Sequence, residues 1–443
     1  MYKGGYSMER RSFIRTMASS TLALSAAGPA WAVGQKQDGE DFDVHPGSET
    51  RVTRIADQSL DELKAFHINE IENEYLPIWD ERRVDHKYGG VRPYLNKDGS
   101  YRMEHKEMYY LGRAIWVFNY LYNNFGQRKE HLEIAEKTID FIYKHGRDEN
   151  GYWISEMTQK GKFMKGSFDI YGDIYVVLGL GEYYHGSGNE KAREIAIETA
   201  HKVTERIVDP AYMHLAGHGA GNEPGTMRLG TWQHFLSALT PLCRYTDDYG
   251  VKMMARMCVN NILRRHWYPE LGVCFEQLDD KFEPFEVDET RNNRIISGWH
   301  SIQAAWMCMD DALRTGNKTN FMTAMEMGRC TLEKCWVDND ENGESGLHSL
   351  ANPEAKPVIA KGSNSAWGAL DDAMVFSLLA IEHTHAPWAV DWFGKIFKVA
   401  YEHPERMIRV GLLHHPRRLF VVPQILDRMI ARGGRVSDFL EVT

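Results

Sequence analysis

The sequence predicts an all-α protein folded as an (α/α)6 barrel, a toroid of inner helices sheathed by outer ones. Three observations carry this expectation. First, from Leu60 onward about a dozen segments with helical apolar spacing alternate with loops, many of them holding Gly, Asn or Asp. Second, the segments are of two kinds. Those at 108–125, 168–184 and 301–313 are apolar on most faces, whereas 191–207 has a charged face. A helix that is apolar all round is buried on all sides, and a striped helix has water on one side. Their alternation suggests two rings with a pocket at one end of the inner one. Third, no Pro-rich or Gly/Ser-rich linker follows residue 60, so 51–443 reads as a single barrel domain.

The elements follow in order. The segment 60–75 is expected to be a helix that Ser59 could cap and that ends before Pro77. Segment 108–125 is broken by Gly126. Segment 130–145 leads to a turn at Gly151-Tyr152-Trp153. Segment 167–184 ends ahead of Gly186-Ser187-Gly188, and 191–207 stops before Pro210. The pairs 229–245 with 251–265, 297–313 with 320–335, and 367–382 with 388–401 close the series.

Composition narrows the function. A chain of 443 residues can build one large core or two ordinary domains. The net charge of −10 argues against nucleic acid as a partner, because a duplex selects for a basic face. The N-terminus reads as an export signal: Arg10-Arg11-Ser12-Phe13-Ile14, then an apolar small-residue run, then a cleavage site ending at Ala32. The paired arginines resemble the twin-arginine class, so 1–32 is expected to be removed and the protein to be periplasmic or secreted. Residues 33–50 read as a flexible leader. No later apolar run is long enough to span a bilayer, which predicts no membrane association after cleavage. Six cysteines without a Cys-x-x-Cys pair read as buried thiols rather than a disulfide framework.

The most informative stretch is Gly-Leu-Leu-His-His-Pro-Arg-Arg at 411–418. Two other histidines, His234 and His300, lie in segments that read as buried helices. Three such histidines suggest a closed pocket that moves protons, since imidazole titrates near neutrality. Arg113 lies on an apolar helix, and a buried guanidinium needs a partner. An internal acid or a substrate could supply it, and substrate is the favoured reading. Tyr109, Tyr110, Trp299 and Trp367 could stack on sugar faces. No His-x-x-x-His pair suggests zinc, and no metal or cofactor is expected.

Several motifs run through the chain in a fixed order. They are Tyr88-Gly89-Gly90, the turn Asn96-Lys97-Asp98-Gly99, Lys106-x-x-Tyr109-x-x-x-Arg113-x-x-Trp116 and Tyr171-Gly172-Asp173. His234-x-x-Ser237-Ala238, Gly298-Trp299-His300-x-x-Gln303-x-x-Trp306 and His414-His415-Pro416-Arg417 complete the set. Taken together they resemble the N-acylglucosamine 2-epimerase family, which also includes cellobiose 2-epimerases and aldose–ketose isomerases, and the resemblance covers roughly residues 60 to 420. It implies an (α/α)6 barrel acting on a mono- or oligosaccharide, with His300 and His414 transferring protons and Arg113 and His234 positioning substrate. It also aligns His414, rather than His415, with the motif histidine. Gln303, Trp299, Trp367, Asp371, Arg417 and Tyr110 are the further expected substrate contacts. Three positions depart from the family pattern: Gln303 and Ser237 stand where glutamates are usual, and Asp371 is a shorter acid in place of a glutamate. The expected reaction is epimerisation or isomerisation beside a carbonyl. A base on one face, an acid on the other and a donor to the enediolate oxygen would serve it. The alternatives are β-elimination by a polysaccharide lyase acting on uronate-containing oligosaccharides, with Arg113 or Arg417 against the carboxylate, and a non-catalytic carbohydrate-binding protein. A glycosidase would need two opposed carboxyl groups, for which Asp371 and Asp372 are the available pair.

Overall fold

The computed structural model describes residues 51–92, 94, 105–167, 170–209, 226–286, 294–338, 345–355, 357–358, 365–402 and 413–441, with the side chains of 80–82, 357–358 and 365–367 excepted. All lie in one compact unit, Val44–Thr443. The expected export signal at 1–32 and leader at 33–50 lie outside the described residues, as does the turn at 96–99.

Helices dominate. They are α1 (Leu60–Glu70), α2 (Leu76–Arg82), α3 (Met108–Asn124), α4 (Lys129–His145), α5 (Tyr171–Ser187), α6 (Glu190–Ile207) and α7 (Leu229–Tyr245). The chain continues through α8 (Tyr249–Asn261), α9 (Gly298–Thr315), α10 (Lys318–Cys335), α11 (Ser365–Thr384), α12 (Pro387–Tyr401) and α13 (His414–Ala431). Helices α3, α5, α7, α9, α11 and α13 pack each on the next, and α13 returns to α3. Helices α4, α6, α8, α10, α12 and α1 back them from outside, one per inner helix. This is the expected pair of concentric rings. The strands among the described residues are two or three residues long and form only small antiparallel ladders.

Burial follows the two helix types. In α5 every residue from Tyr171 to Tyr183 is buried, while α6 buries Ala192, Ala196, Ala200, Val203 and Ile207 and leaves its opposite face to water. Apolar residues at three- and four-residue spacing produce that single stripe. The closest inner pair, α3 with α5, depends on missing side chains. A Cβ at Gly112 would sit 2.5 Å from the Tyr175 carbonyl carbon, so only glycine lets these two backbones approach. That approach sets Arg113 against Tyr175. Ser59 caps α1 as expected, in a reciprocal box with Glu62.

Three expectations needed correction. The first helix does not stop before Pro77; a π turn at Ile71–Tyr75 joins α1 to α2 in unbroken helical backbone, and Pro77 stands in the first turn of α2. Helix α8 ends at Asn261, and a second π turn, Ile262–His266, carries the chain onward. The series does not close with α12. Helix α13 completes the inner ring despite Pro416 in its first turn and Pro423 in its interior. Pro416 occupies a position without a helical donor requirement, and burial of Leu419, Phe420, Val422, Ile425 and Leu426 outweighs the bond lost at Pro423.

Candidate active site

The candidate residues come from the first two turns or so of the six inner helices: Tyr109, Tyr110 and Arg113 of α3, Tyr171 and Tyr175 of α5, and His234 of α7. Trp299, His300 and Gln303 of α9, Asp371 and Asp372 of α11, and His414 and Arg417 of α13 complete the set. Helix N-termini carry partial positive charge, so this end favours developing negative charge. Short ladders steady the entries. Lys106-Glu107, just before α3, pairs with Glu156-Met157, and Met227-Arg228, just before α7, pairs with Gln277-Leu278. Lys106 is fully buried, bonds the Gly89 carbonyl and pairs with Asp85 at 3.1 Å, which fastens the Tyr88-Gly89-Gly90 turn to α3.

His300 pairs with a carboxylate that sequence reading missed. Its Nδ1 lies 2.8 Å from Glu276 Oε2. Burial alone would lower the imidazole, but Glu276 raises it overall. Burial would likewise raise Glu276, but His300 and Arg228 hold it below the usual range. The His300 side chain stays 31% exposed, leaving the ring accessible to a ligand. The signal for Glu276 was a lone acid within the apolar run Val273-Cys274-Phe275-Glu276-Gln277-Leu278.

His414 sits in a second polar cluster built on Asp372. Asp372 Oδ2 accepts from Gln303 Nε2 at 2.6 Å and Trp299 Nε1 at 3.1 Å, and its Oδ1 from Trp306 Nε1 at 3.0 Å and Arg417 at 2.5 Å. Burial pushes this carboxyl up, but Arg417, His414 and Gln303 together hold it far below the ordinary range. Ionised Asp372 only accepts, which orients the Gln303 amide, and Gln233 Nε2 donates to Gln303 Oε1 at 2.8 Å. His414 Nδ1 faces Asp372 Oδ2 at 3.2 Å and Gln303 Nε2 at 2.8 Å. Arg417, at 3.3 Å, also presents an N–H group to Nδ1, so Nδ1 belongs to this cluster and Nε2 is left for substrate; Nε2 acts as a base when the ring proton sits on Nδ1 toward Asp372. Burial takes His414 down to about 4 against the pull of Asp372, with Arg417 and Arg113 adding to the fall. Gln303 therefore serves His414 rather than the histidine one turn before it. The acid absent at position 303 is supplied by α11.

The third group is Arg113, Tyr175 and His234. Arg113 donates to the hydroxyls of Tyr109 and Tyr175, the latter at 2.7 Å, and lies over both rings. Among the described residues no carboxylate pairs with Arg113. Tyr175 hydroxyl lies 2.9 Å from His234 Nδ1; donation onward places the His234 proton on Nε2. Burial lowers His234 well below the ordinary value, and His300, Arg113, His414 and Arg417 repel its charged form. That shared influence reflects how closely these groups gather. The ring centroids of His234 and His300 are 5.9 Å apart, and those of Trp299 and His414 are 4.7 Å apart. Tyr110 bonds Tyr94 hydroxyl at 2.8 Å and meets Tyr109 edge-on.

Asp371 does not join them as expected. It pairs with Arg418 Nε at 2.6 Å and His415 Nδ1 at 3.4 Å, in a buried network with Glu70 and Tyr401. Consecutive residues on a helix point about 100° apart, so Asp371 and Asp372 serve different networks. His415 accordingly belongs to the α1–α13 junction, and His414 to the mouth. Ser237 bonds back to the His234 carbonyl at 2.7 Å. Trp367 lies in α11, but its side chain is outside the described residues. Among the described residues, no three His, Cys, Asp or Glu side chains group as a metal site.

Comparison with known proteins agrees with this architecture. Residues 89–409 match the family described as N-acylglucosamine 2-epimerase (GlcNAc 2-epimerase). The cellobiose 2-epimerase of Dictyoglomus turgidum is 25% identical over 341 residues, covering 72% of this chain and 82% of that protein. The N-acylglucosamine 2-epimerase of Mus musculus is 24% identical over 394 residues, covering 81% and 90%. The solved cellobiose 2-epimerase of Spirochaeta thermophila shares the fold at a TM-score of 0.67 and 16% identity, over 84% of this chain and 98% of that one. With a match that spans most of the barrel, the chain belongs to the N-acylglucosamine 2-epimerase family.

Proposed function

We propose that the protein is a carbohydrate epimerase or isomerase that moves a proton beside a carbonyl, using His300 and His414. The observation that carries this reading is the pair itself. Two imidazoles each face a buried carboxylate through Nδ1, and their environments push them apart, His300 up and His414 down to about 4. Two titrating groups driven in opposite directions are suited to acid and base roles. In this reading the neutral His414 takes the proton from the carbon next to the open-chain carbonyl, and protonated His300 returns one to the opposite face. Arg113 and the Nε2–H of His234 donate to the enediolate oxygen, at the positive ends of six helices. Trp299 and Tyr110 offer ring surfaces to the sugar, and Gln303, Asp372 and Arg417 hold the His414 side. The names of the family's relatives support a reducing mono- or disaccharide as substrate. The twin-arginine-like segment at 1–32 supports a periplasmic or secreted location, testable by fractionating cells that carry the Arg10→Lys, Arg11→Lys variant.

The deciding experiment offers reducing disaccharides, N-acetylhexosamines and uronate oligosaccharides to the protein in deuterated water and follows them by NMR. Deuterium at C2 with an altered sugar supports the proposal. New 4,5-unsaturated ends would transfer the site to β-elimination, and saturable binding without either change would indicate a binding protein. His300→Asn and His414→Asn should each remove most turnover with the fold intact. Full activity in either would refute the two-histidine mechanism.

A further inference from the structure

The candidate residues assigned from the sequence do not include Glu276. It sits between the strands Val273–Cys274 and Gln277–Leu278, not on an inner helix. Its backbone is held from both sides: its N–H donates to the Ile295 carbonyl at 3.0 Å, and its carbonyl accepts from Leu229 N–H at 2.9 Å. Those two bonds tie it to the entries of α9 and α7, which carry His300 and His234. The side chain is 9% exposed, and its Oε2 lies 2.8 Å from His300 Nδ1. Space is reserved for the contact. A Cβ at Gly230 would lie 2.9 Å from His300 Cε1 and 3.3 Å from Glu276 Oε1. A buried carboxylate fixed through its own backbone and aimed at one imidazole nitrogen is a strong orienting partner.

We infer that Glu276 is the positioning residue that makes His300 the resting proton donor of the pair, holding Nδ1–H so that Nε2–H is the group presented to substrate. The inference rests on the two-histidine reading and deepens it by assigning direction. In one turnover His414 Nε2 takes the substrate proton as the C–H bond breaks and the enediolate forms. His300 Nε2 then gives its proton to that carbon as the new C–H bond forms. The substrate's proton is left on His414 and His300 is left neutral; exchange of both with water restores the pair, so the product carries a solvent hydrogen. The groups facing His300 are Glu276, Arg228 before α7, His234 on α7 and Asp372 on α11. Those facing Glu276 are His300, Arg228, His266, Tyr171 and the Cys274 thiol. Glu276 is the carboxylate in hydrogen-bond contact with His300.

The test is Glu276→Gln, which keeps an acceptor of the same shape and removes the charge. Imidazole titrations by NMR, with His300→Asn assigning the His300 signal, are read beside the pH profile of kcat/KM. The native His300 titration should lie above the ordinary value of about 6.5. In Glu276→Gln it should fall by about one unit or more, drawing the basic limb of the profile down with it. Turnover near neutrality should drop about tenfold or more while KM changes little. Glu276→Asp, which retains the charge, should restore the limb's position. The inference is overturned if Glu276→Gln leaves the titration and limb unmoved while His300→Asn is inactive, an outcome that spares the two-histidine mechanism. Full activity of His300→Asn would instead remove that mechanism. Should Glu276→Gln fail to fold, a native His300 titrating at or below about 6.5 overturns the inference by itself.

Discussion

Gly230→Ala tests the site without replacing a reacting group. Gly230 is in the first turn of α7, facing His300. Its added Cβ would meet His300 Cε1 at 2.9 Å and Nδ1 at 3.0 Å. Carbon atoms in contact settle at about 3.5–4.0 Å, so the ring must retreat by roughly 0.6–1 Å. Retreat of that size takes Nδ1 beyond good hydrogen-bond distance of Glu276, from its native 2.8 Å. A misplacement near 1 Å costs about a hundredfold in rate. Stability should change far less: overpacking costs about 1–3 kcal/mol, and replacing a helical glycine by alanine offsets about 1 kcal/mol of it. The expected variant is folded, melts close to the native protein and turns over about a hundredfold more slowly. Solvent deuterium incorporation into the sugar gives the rate, and thermal unfolding gives the stability. A folded Gly230→Ala protein with native turnover would refute the claim that His300 must stand where it does.

Other expectations follow from the same geometry. Asp372→Asn strands buried Arg417 and should cost about 3–5 kcal/mol in urea unfolding, besides slowing turnover; a loss under about 1 kcal/mol would mean that Arg417 finds another partner. Because Asp372 and Glu276 have folded pKa values below their unfolded ones, the unfolded chain binds more protons as acid is added. Their stabilisation is therefore present at neutral pH and lost as pH falls below about 4, so Asp372→Asn should show a shallower acid-unfolding dependence than the native protein. With His414 down at about 4 and His300 raised, kcat/KM should hold a plateau between an acid limb near 4 and a basic limb above the ordinary histidine value; a single limb would contradict two essential groups. His415→Asn should lower stability by about 1.5–3 kcal/mol through its bonds to Glu70 and Asp371, with turnover per folded molecule retained.

What could be read from the chain and what could not divide along physical lines. Helix positions were legible because burial imposes a 3.6-residue rhythm, and 229–245 was matched at both ends by α7. The two-ring architecture was legible because an all-apolar helix such as α5 needs neighbours on every side. Helix α13 was hidden by two prolines and a cationic start, local signals that tertiary burial overrides. Arg113, His234 and His300 could be singled out because polar groups in apolar helices demand a partner, and His414 because of its place in the Gly-Leu-Leu-His-His-Pro-Arg-Arg stretch. Their partners could not. Glu276 reaches His300 across 24 residues and Asp372 reaches His414 across 42, and nothing in local spacing encodes such a contact. Nor could the choice between Asp371 and Asp372 be made, since one step along a helix turns a side chain from the mouth of the barrel to its closing seam. The sequence by itself determined the periodic pattern, and with it the rings and the residue types brought to one end. Only the tertiary structure decided which carboxylate meets which imidazole, because hydrogen-bond partners are set by side-chain direction and the packing of whole helices.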